Sequence, residues 1–523
     1  MAKTAQTSDT AAAASVGRRS LLSHPGGDDV DGDGVFNPDT FLVFTPDFQF
    51  LTGTGHTPTN HGRCIIAPQL EALKPDLGVE SFSDGFRAAI IRVMSVLLVH
   101  IPVGFEEAYP LGLAAIAAPL CDAGYTVEGL DVGRVGIEGL LSRLDRGGVD
   151  VVGIGVWTPG AAKAKAVVAA IRQAPQSPTI VVGGPHATLA PGDVDADVAV
   201  VGEGEQTFLD VVEALAAGRA LDRISGTVVP GAEHEPLARD WADLDTLPIP
   251  DRSAFLIQDY HREHMPRGKG YASVYTSRGC RYRCRYCSSP LLWGQIHRFR
   301  SPEQVVSEWR KLRVDHGVDG VLIEDDLFSQ DRERVSLLCE ALIRESPGVT
   351  WELLNGIRPD SVDSPLLALM ARAGCTRVAF GIEAAGSAAL KHLGRSPDLA
   401  QTAEVVRAAH ASGMSTTGYF MIGLPGETDA ERRETFELST SLDLDFAHFC
   451  TASAWPGTRW TEEELADIPS RVRARMYRRW YLHPKRARRV MRVMGLSWTS
   501  LPDLVGRLVR WTRQPIEARR SNT

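Results

Sequence analysis

Tyr271-Ala-Ser-Val-Tyr-Thr-Ser-Arg-Gly-Cys280-Arg-Tyr-Arg-Cys284-Arg-Tyr-Cys287 runs a short apolar strand directly into a loop with three cysteines at C-x3-C-x2-C spacing. From here strands and helices alternate. Gly320-Val-Leu-Ile-Glu324, Thr350 to Leu354, Arg377-Val-Ala-Phe-Gly-Ile-Glu383 and Ser415 to Ile422 read as buried strands, with helical stretches from about Pro302, Arg332, Ser364 and Ala400 between them. Repeated strand–helix units without hairpin signals predict a parallel barrel or part of one, whose functional loops follow the carboxyl ends of the strands. The cysteine loop follows the first such strand. Three thiolates there can bind three irons of a cubane cluster and leave the fourth iron open to a substrate-like ligand. A zinc site or three unrelated cysteines are the alternatives. Zinc prefers a fourth Cys or His at regular spacing, and the one near candidate, His297, is expected to be structural.

A second alternating series lies upstream: strands Val96 to Val99, Val127 to Leu130, Val151 to Val156 and Thr179 to Val182, with helices through Leu111–Ala123 and Ala161–Arg172. Buried apolar strands separated by helices predict a parallel, doubly wound sheet that binds ligands at its carboxyl ends. Those ends carry His100-Ile-Pro, Trp157-Thr158-Pro159, Gly183-Gly184-Pro185-His186-Ala-Thr188 and Val201-Gly202-Glu203-Gly204-Glu205. Beyond Ala216 the chain is irregular to Lys269, and the prolines of Leu247-Pro-Ile-Pro-Asp251 stop regular structure.

A chain of 523 residues exceeds one ordinary core. The expected divisions are a mostly disordered extension over 1–92, a Rossmann-like domain over 93–220, a linker over 221–269, a partial barrel over 270–458 and a basic helical segment over 459–523. Residues 1–92 are rich in Ala, Ser, Thr, Gly, Asp and Pro, which bury too little apolar surface to offset chain entropy. Asp29, Asp31 and Asp33 imitate a calcium loop, but Thr40 stands where the twelfth-position Glu belongs. Met94 opens the first patterned segment and is a candidate start. A net charge of -9 argues against general nucleic-acid binding. The cysteines outside the triplet form no disulfide framework, and the apolar run Ala88 to Val103 is broken by Arg92 and His100, so a cytoplasmic protein without an integral membrane segment is expected. Arg471, Arg473, Arg475, Arg478, Arg479, Lys485, Arg486, Arg488 and Arg489 are expected to give the last segment a solvated basic face.

Cys280-Arg-Tyr-Arg-Cys284-Arg-Tyr286-Cys287 resembles the signature of the radical S-adenosylmethionine (SAM) superfamily, with an aromatic residue before the third cysteine. The resemblance covers about Tyr271 to Thr458. It implies a [4Fe-4S] cluster on the three cysteines, SAM chelated to the open iron, and one-electron cleavage to a 5′-deoxyadenosyl radical fed by a donor such as flavodoxin or ferredoxin. The second-strand end Glu324-Asp325-Asp326 resembles the segment that orients the SAM amino group. By the same resemblance, Arg358 beside Asn355 would meet the SAM carboxylate, Glu383 the ribose, and Ile422 and Gly423 the adenine, with Tyr286 alongside. Ala384-Ala385 stands where the family commonly has Ser-Gly.

The upstream sheet resembles the cobalamin-binding domain that precedes the radical domain in one branch of the superfamily. On that resemblance Trp157, Thr158, Gly183, Gly184, Pro185, His186, Gly202 and Glu203 would bind cobalamin. The D-x-H-x-x-G motif that supplies a histidine to cobalt is absent after Val99, so no protein histidine is expected on the metal. The function implied is a cobalamin-dependent radical SAM enzyme acting on a small molecule, with methyl transfer to an unactivated carbon favoured. Oxidative cyclisation, ring contraction or rearrangement is the alternative, and a non-catalytic cobalamin or iron–sulfur sensor ranks below both.

Overall fold

A computed structural model describes residues 94–103, 108–232, 237–260, 270–345, 350–395 and 398–494, and the backbone of 42–44 and 50–52. The chain divides into two units, Met1–Arg87 and Ala88–Thr523. In the first, the described residues are one antiparallel pair, Leu42–Phe44 with Phe50–Thr52. The calcium-like aspartates, the rest of the expected disordered extension and the tail beyond Met494 lie outside the described residues.

The second unit holds two six-stranded sheets. In the upstream sheet, β1 (Ser95–His100), β2 (Thr126–Asp131), β3 (Val151–Gly155), β4 (Thr179–Gly183), β5 (Val198–Val200) and β6 (Thr227–Val228) lie in the order β2-β1-β3-β4-β5-β6. All pairs are parallel except β5 with β6. The winding reverses between β1 and β3, which opens a crevice at their carboxyl ends. Strand alternation builds two cores, because successive side chains face opposite layers: Leu97 and Val99 join one with Ile154 and Val167, Val96 and Leu98 the other. The expected boundary at residue 220 is too early, since β6 completes this sheet from within the linker.

The downstream sheet runs in sequence order through β7 (Tyr271–Val274), β10 (Gly320–Ile323), β11 (Thr350–Ile357), β12 (Cys375–Glu383), β13 (Ser415–Ile422) and β14 (Phe446–Thr451). All its pairs are parallel, and β7 and β14 do not pair, so it is a partial barrel. A separate antiparallel ribbon, β8 (Ser277–Arg278) with β9 (Arg298–Phe299), brackets the cysteine loop. Local chemistry sets the crossing helices: Ser301 caps Pro302–His316, which stops at left-handed Gly317, and Thr428 with Glu431 forms a capping box on Asp429–Ser441.

Open edges of a sheet leave backbone groups unpaired, and here side chains cover both. At β14, Ala447 N donates to Tyr481 Oη and Phe449 N to Tyr477 Oη, each at 3.1 Å, from the helix Ser470–Tyr481. At the β7 edge, linker Arg252 donates to Ser273 O at 2.8 Å and Arg300 to Tyr275 O at 2.9 Å, both arginines sharing buried Glu308 as ion-pair partner. The linker also joins the sheets through apolar packing. Phe255, Ile257 and Tyr260 connect Tyr109 and Leu113 to Ala272 and Val274 in one continuous core that extends to Trp480. Among the described residues no helix is long and apolar enough to cross a membrane.

Candidate active site

The cysteine loop hangs from the acidic end of β10. Thr276 N, Thr276 Oγ1 and Ser277 Oγ each donate to Asp325 at 2.6 Å, Gly279 N donates to Asp326 at 3.0 Å, and Arg281 N donates to Gln330 at 2.9 Å. Gly279 is required here, with φ at 89° and Ile296 O 2.2 Å from where a Cβ would stand. Asp325 is therefore redirected from the role expected of it: both oxygens are engaged inside the protein, and it fixes the segment entering the loop. Asp326 shares that task. Burial raises its carboxyl above the usual range, against the hydrogen bond from Gly279 N. Glu324 accepts from Ser273 Oγ at 2.8 Å.

Cys287 N donates to Cys284 O at 3.1 Å, which turns the loop on itself. Among the described residues no three His, Cys, Asp or Glu side chains converge as ligands of a single ion. Burial pushes the Cys287 thiol up to about 12 and raises that of Cys280, and neighbouring thiolates add to both. Three charged sulfurs at this depth require a positive centre, which cluster iron provides by deprotonating the thiols it binds. The donor set therefore fits a cluster. Arg358 faces the loop, its guanidinium 3.8 Å from the Tyr282 ring and held by Asp360 at 2.9 and 2.5 Å.

At the end of β12, Glu383 is the one non-glycine residue among those described with positive φ, at 71°. A register shift between Gly381 and Glu383 produces it, and strain of this kind persists only where the surroundings over-determine it. Its carboxylate accepts from Tyr286 Oη at 3.1 Å and Arg395 at 3.2 Å. Burial nonetheless raises its carboxyl, outweighing the Arg395 charge and the tyrosine.

Ile422 O accepts from Ala452 N, Gly423 N donates to Glu427 at 2.7 Å, and Gly423 O accepts from Ala466 N. The backbone groups expected to meet adenine are thus paired internally. The buried polar atoms without partners lie beside them: Arg395 Nε, Glu427 Oε1, Thr451 Oγ1 and Trp460 Nε1. They border an apolar cluster of Ala384, Leu424, Ala452 and Trp460, against which Tyr286 packs. Unpaired donors and acceptors around an apolar bed fit a nucleoside with polar edges. Trp460 and Thr451 follow no motif, so their unpaired buried atoms became visible only in the fold.

In the upstream sheet, Gly184 has φ at 93° and ψ at -172°, and a Cβ there would stand 3.1 Å from Val156 O. With Val156 N donating to Gly183 O, the glycine pair lets the ends of β3 and β4 approach closely. Pro185 opens the short helix that follows. His186 does not contribute a ligand from this turn: it is buried, with Nδ1 3.2 Å from Thr158 Oγ1 and Nε2 2.8 Å from Asp193. At the crevice where the winding reverses, Trp157 is 56% exposed and His100 Nε2 is buried without a partner. Towards the β5–β6 edge of the same sheet a cavity of about 320 Å³ is lined by Thr188, Gly202, Val228, linker Trp241 and barrel Leu291 among others. An exposed aromatic, an unpaired polar atom and a cavity at one sheet end fit a large, partly apolar cofactor.

Glu203 lines that cavity and is also committed to the barrel: its carboxylate pairs with Arg278 at 2.6 Å and Arg298 at 2.9 Å and accepts from Ala242 N at 3.0 Å, so it joins the two sheets. Burial disfavours its charge, yet the two arginines hold its carboxyl below the usual range.

Residues 274–439 match the Radical SAM superfamily domain and residues 101–212 the B12 binding domain. The chain is 30% identical over 398 residues to an uncharacterized methyltransferase, PH0819, of Pyrococcus horikoshii, covering 72% of this chain and 84% of that protein. It is 28% identical to the cytidylyl-2-hydroxyethylphosphonate methyltransferase of Streptomyces wedmorensis, over 68% of this chain and 77% of the relative. Identity is also 28% to the anaerobic magnesium-protoporphyrin IX monomethyl ester cyclase of Rubrivivax gelatinosus, over 59% and 57% respectively. Among solved structures, the radical SAM methyltransferase TsrM of Kitasatospora setae with cobalamin and a [4Fe-4S] cluster superposes with a TM-score of 0.58 at 21% identity, covering 70% of this chain and 74% of that one.

Proposed function

The chain belongs to the radical SAM superfamily, in the branch with a cobalamin-binding domain ahead of the barrel, and from that premise we propose methyl transfer to an unactivated carbon of a small metabolite. Its cofactors are a [4Fe-4S] cluster, SAM and cobalamin. When bound, they supply a hydrogen-abstracting 5′-deoxyadenosyl radical and a methyl group.

The observation that carries the proposal is the direct ion pairing of the Gly202–Glu205 turn with Arg278, two residues before Cys280, because it brings the two cofactor faces toward one substrate. Cys280, Cys284 and Cys287 would hold the cluster. Glu324 and Asp326 accept the SAM ammonium in this reading, Arg358 meets its carboxylate, and Glu383 with Tyr286 holds the ribose. Thr451 and Trp460, beside Ile422 and Gly423, close on adenine. Trp157, Thr158, Gly183, Gly184 and Gly202 form the cobalamin bed. The exposed Arg281, Arg283 and Arg285 around the cysteines offer an acidic flavodoxin or ferredoxin a docking surface, and the reading includes a cytoplasmic location where such donors are kept reduced.

The cyclase relative supports one second reading, ring formation without methyl transfer. Anaerobic turnover with methyl-labelled SAM separates the two. Methyl transfer yields 5′-deoxyadenosine together with S-adenosylhomocysteine and label in the product, whereas 5′-deoxyadenosine alone establishes cyclisation or rearrangement.

A further inference from the structure

Arg278 is buried at 8% exposure, yet both carboxylates it pairs with belong to the other sheet. Its Nη1 donates to Glu203 at 2.6 Å and its Nη2 to Glu205 at 2.5 Å. Arg298, its register partner across the β8–β9 ribbon, donates to the two oxygens of Glu203 at 2.9 and 3.1 Å and to Ala242 O at 2.7 Å. The ribbon is the base of the cysteine loop, so both stems of that loop are gripped by the turn after β5. Tyr275 and Trp293 lie 4.2 and 5.6 Å from the Arg278 guanidinium and fix its plane.

The turn that supplies these carboxylates also reaches the upstream cavity. Gly202, one residue before Glu203, lines it and donates its N–H to Thr188 Oγ1 at 3.0 Å. On the barrel side, Ser277 and Gly279 flank Arg278 and donate to Asp325 and Asp326. Every link between cavity and cysteines is thus a backbone step or a buried polar contact. A guanidinium engages two carboxylates through a rigid planar fork, whereas an ammonium supplies a point charge without fixed geometry.

We propose that Arg278 is a positioning residue that couples the two cofactor domains: the Gly202–Glu205 turn sets the orientation of the Cys280–Cys287 loop, so occupation of the upstream domain changes the environment of the cluster. The proposal rests on both cofactors binding and is independent of whether methyl transfer follows.

The test uses the full chain with an iron-labelled cluster and SAM, read by Mössbauer spectroscopy before and after addition of hydroxocobalamin, with cobalamin binding followed by visible absorption. Cobalamin is expected to shift the quadrupole splitting of the SAM-ligated iron in the native protein. Arg278→Lys and Glu205→Gln are expected to bind both cofactors and lose that shift. A role confined to neutralising buried carboxylates would leave the shift intact in Arg278→Lys, which keeps the charge. A native spectrum unmoved by bound cobalamin overturns the coupling, and a shift that survives in both variants overturns the part assigned to Arg278. Failure of the native chain to bind cobalamin overturns this proposal and the proposed function together. If Arg278→Lys does not fold, Glu205→Gln decides, because it leaves the Glu203 pair in place.

Discussion

Single side chains divide sharply into those whose chemistry is local and those whose partners come from elsewhere. The cysteine triplet is legible in sequence because cluster ligands on one loop need a fixed short spacing. Glu203, Asp325 and His186 stand in equally suggestive motifs, but their partners lie 75, 49 and 7 residues away and are fixed only by the fold. Glu383 was legible as a polar residue at a strand end, while its left-handed backbone was not. Because its carboxylate lies between Tyr286 and Arg395, Glu383→Gln keeps a hydrogen-bonding atom and removes the charge that Arg395 faces. SAM affinity is expected to fall about tenfold, a loss of ~1.4 kcal/mol, with cobalamin affinity unchanged. Equilibrium dialysis with labelled SAM measures the first, and an unaltered dissociation constant would remove Glu383 from the site.

Elements were legible where they are long enough to show a period. The parallel strands and their helices follow from alternating apolar runs, but β6 has two residues, too few for any pattern, and the tyrosine caps on β14 depend on which edge the barrel leaves open. The last helix among the described residues, Pro484–Val493, docks through Arg489 onto Asp445. Burial opposes charge on Asp445, but His410, the Thr416 N–H and Arg489 outweigh it and hold its carboxyl below the usual range. A carboxyl depressed in the folded state contributes stability above its unfolded value, ~3.9, and loses that contribution as pH falls through the folded value. Urea melts below about pH 4 should therefore show an acid-dependent loss that Asp445→Asn lacks, with Asp445→Asn weaker by about 2 kcal/mol at neutral pH. Parallel pH profiles for the two proteins would show that the docking is not Asp445-dependent.

At the scale of the molecule, sequence suggests two domains and a linker, and Phe255, Ile257 and Tyr260 of that linker join the core. Phe255 is 3% exposed, between the helix that follows β1 and the first barrel strand. One continuous core predicts a single cooperative transition for residues 94–494 in calorimetry. Phe255→Ala should cost about 3–5 kcal/mol and split that transition in two, whereas two separate transitions in the native chain would mean that the halves fold independently.

That shared seam has a consequence for anyone recombining these modules. A foreign upstream domain joined at the linker would leave Arg278 and Arg298 buried opposite whatever its own turn carries, and would remove Arg252 from the bare edge of β7. A working chimera must therefore exchange Glu203 and Glu205 together with Arg278 and Arg298, Arg252 together with Glu308, and Phe255 together with its apolar neighbours, and the practical crossover lies within neither domain's apparent boundary.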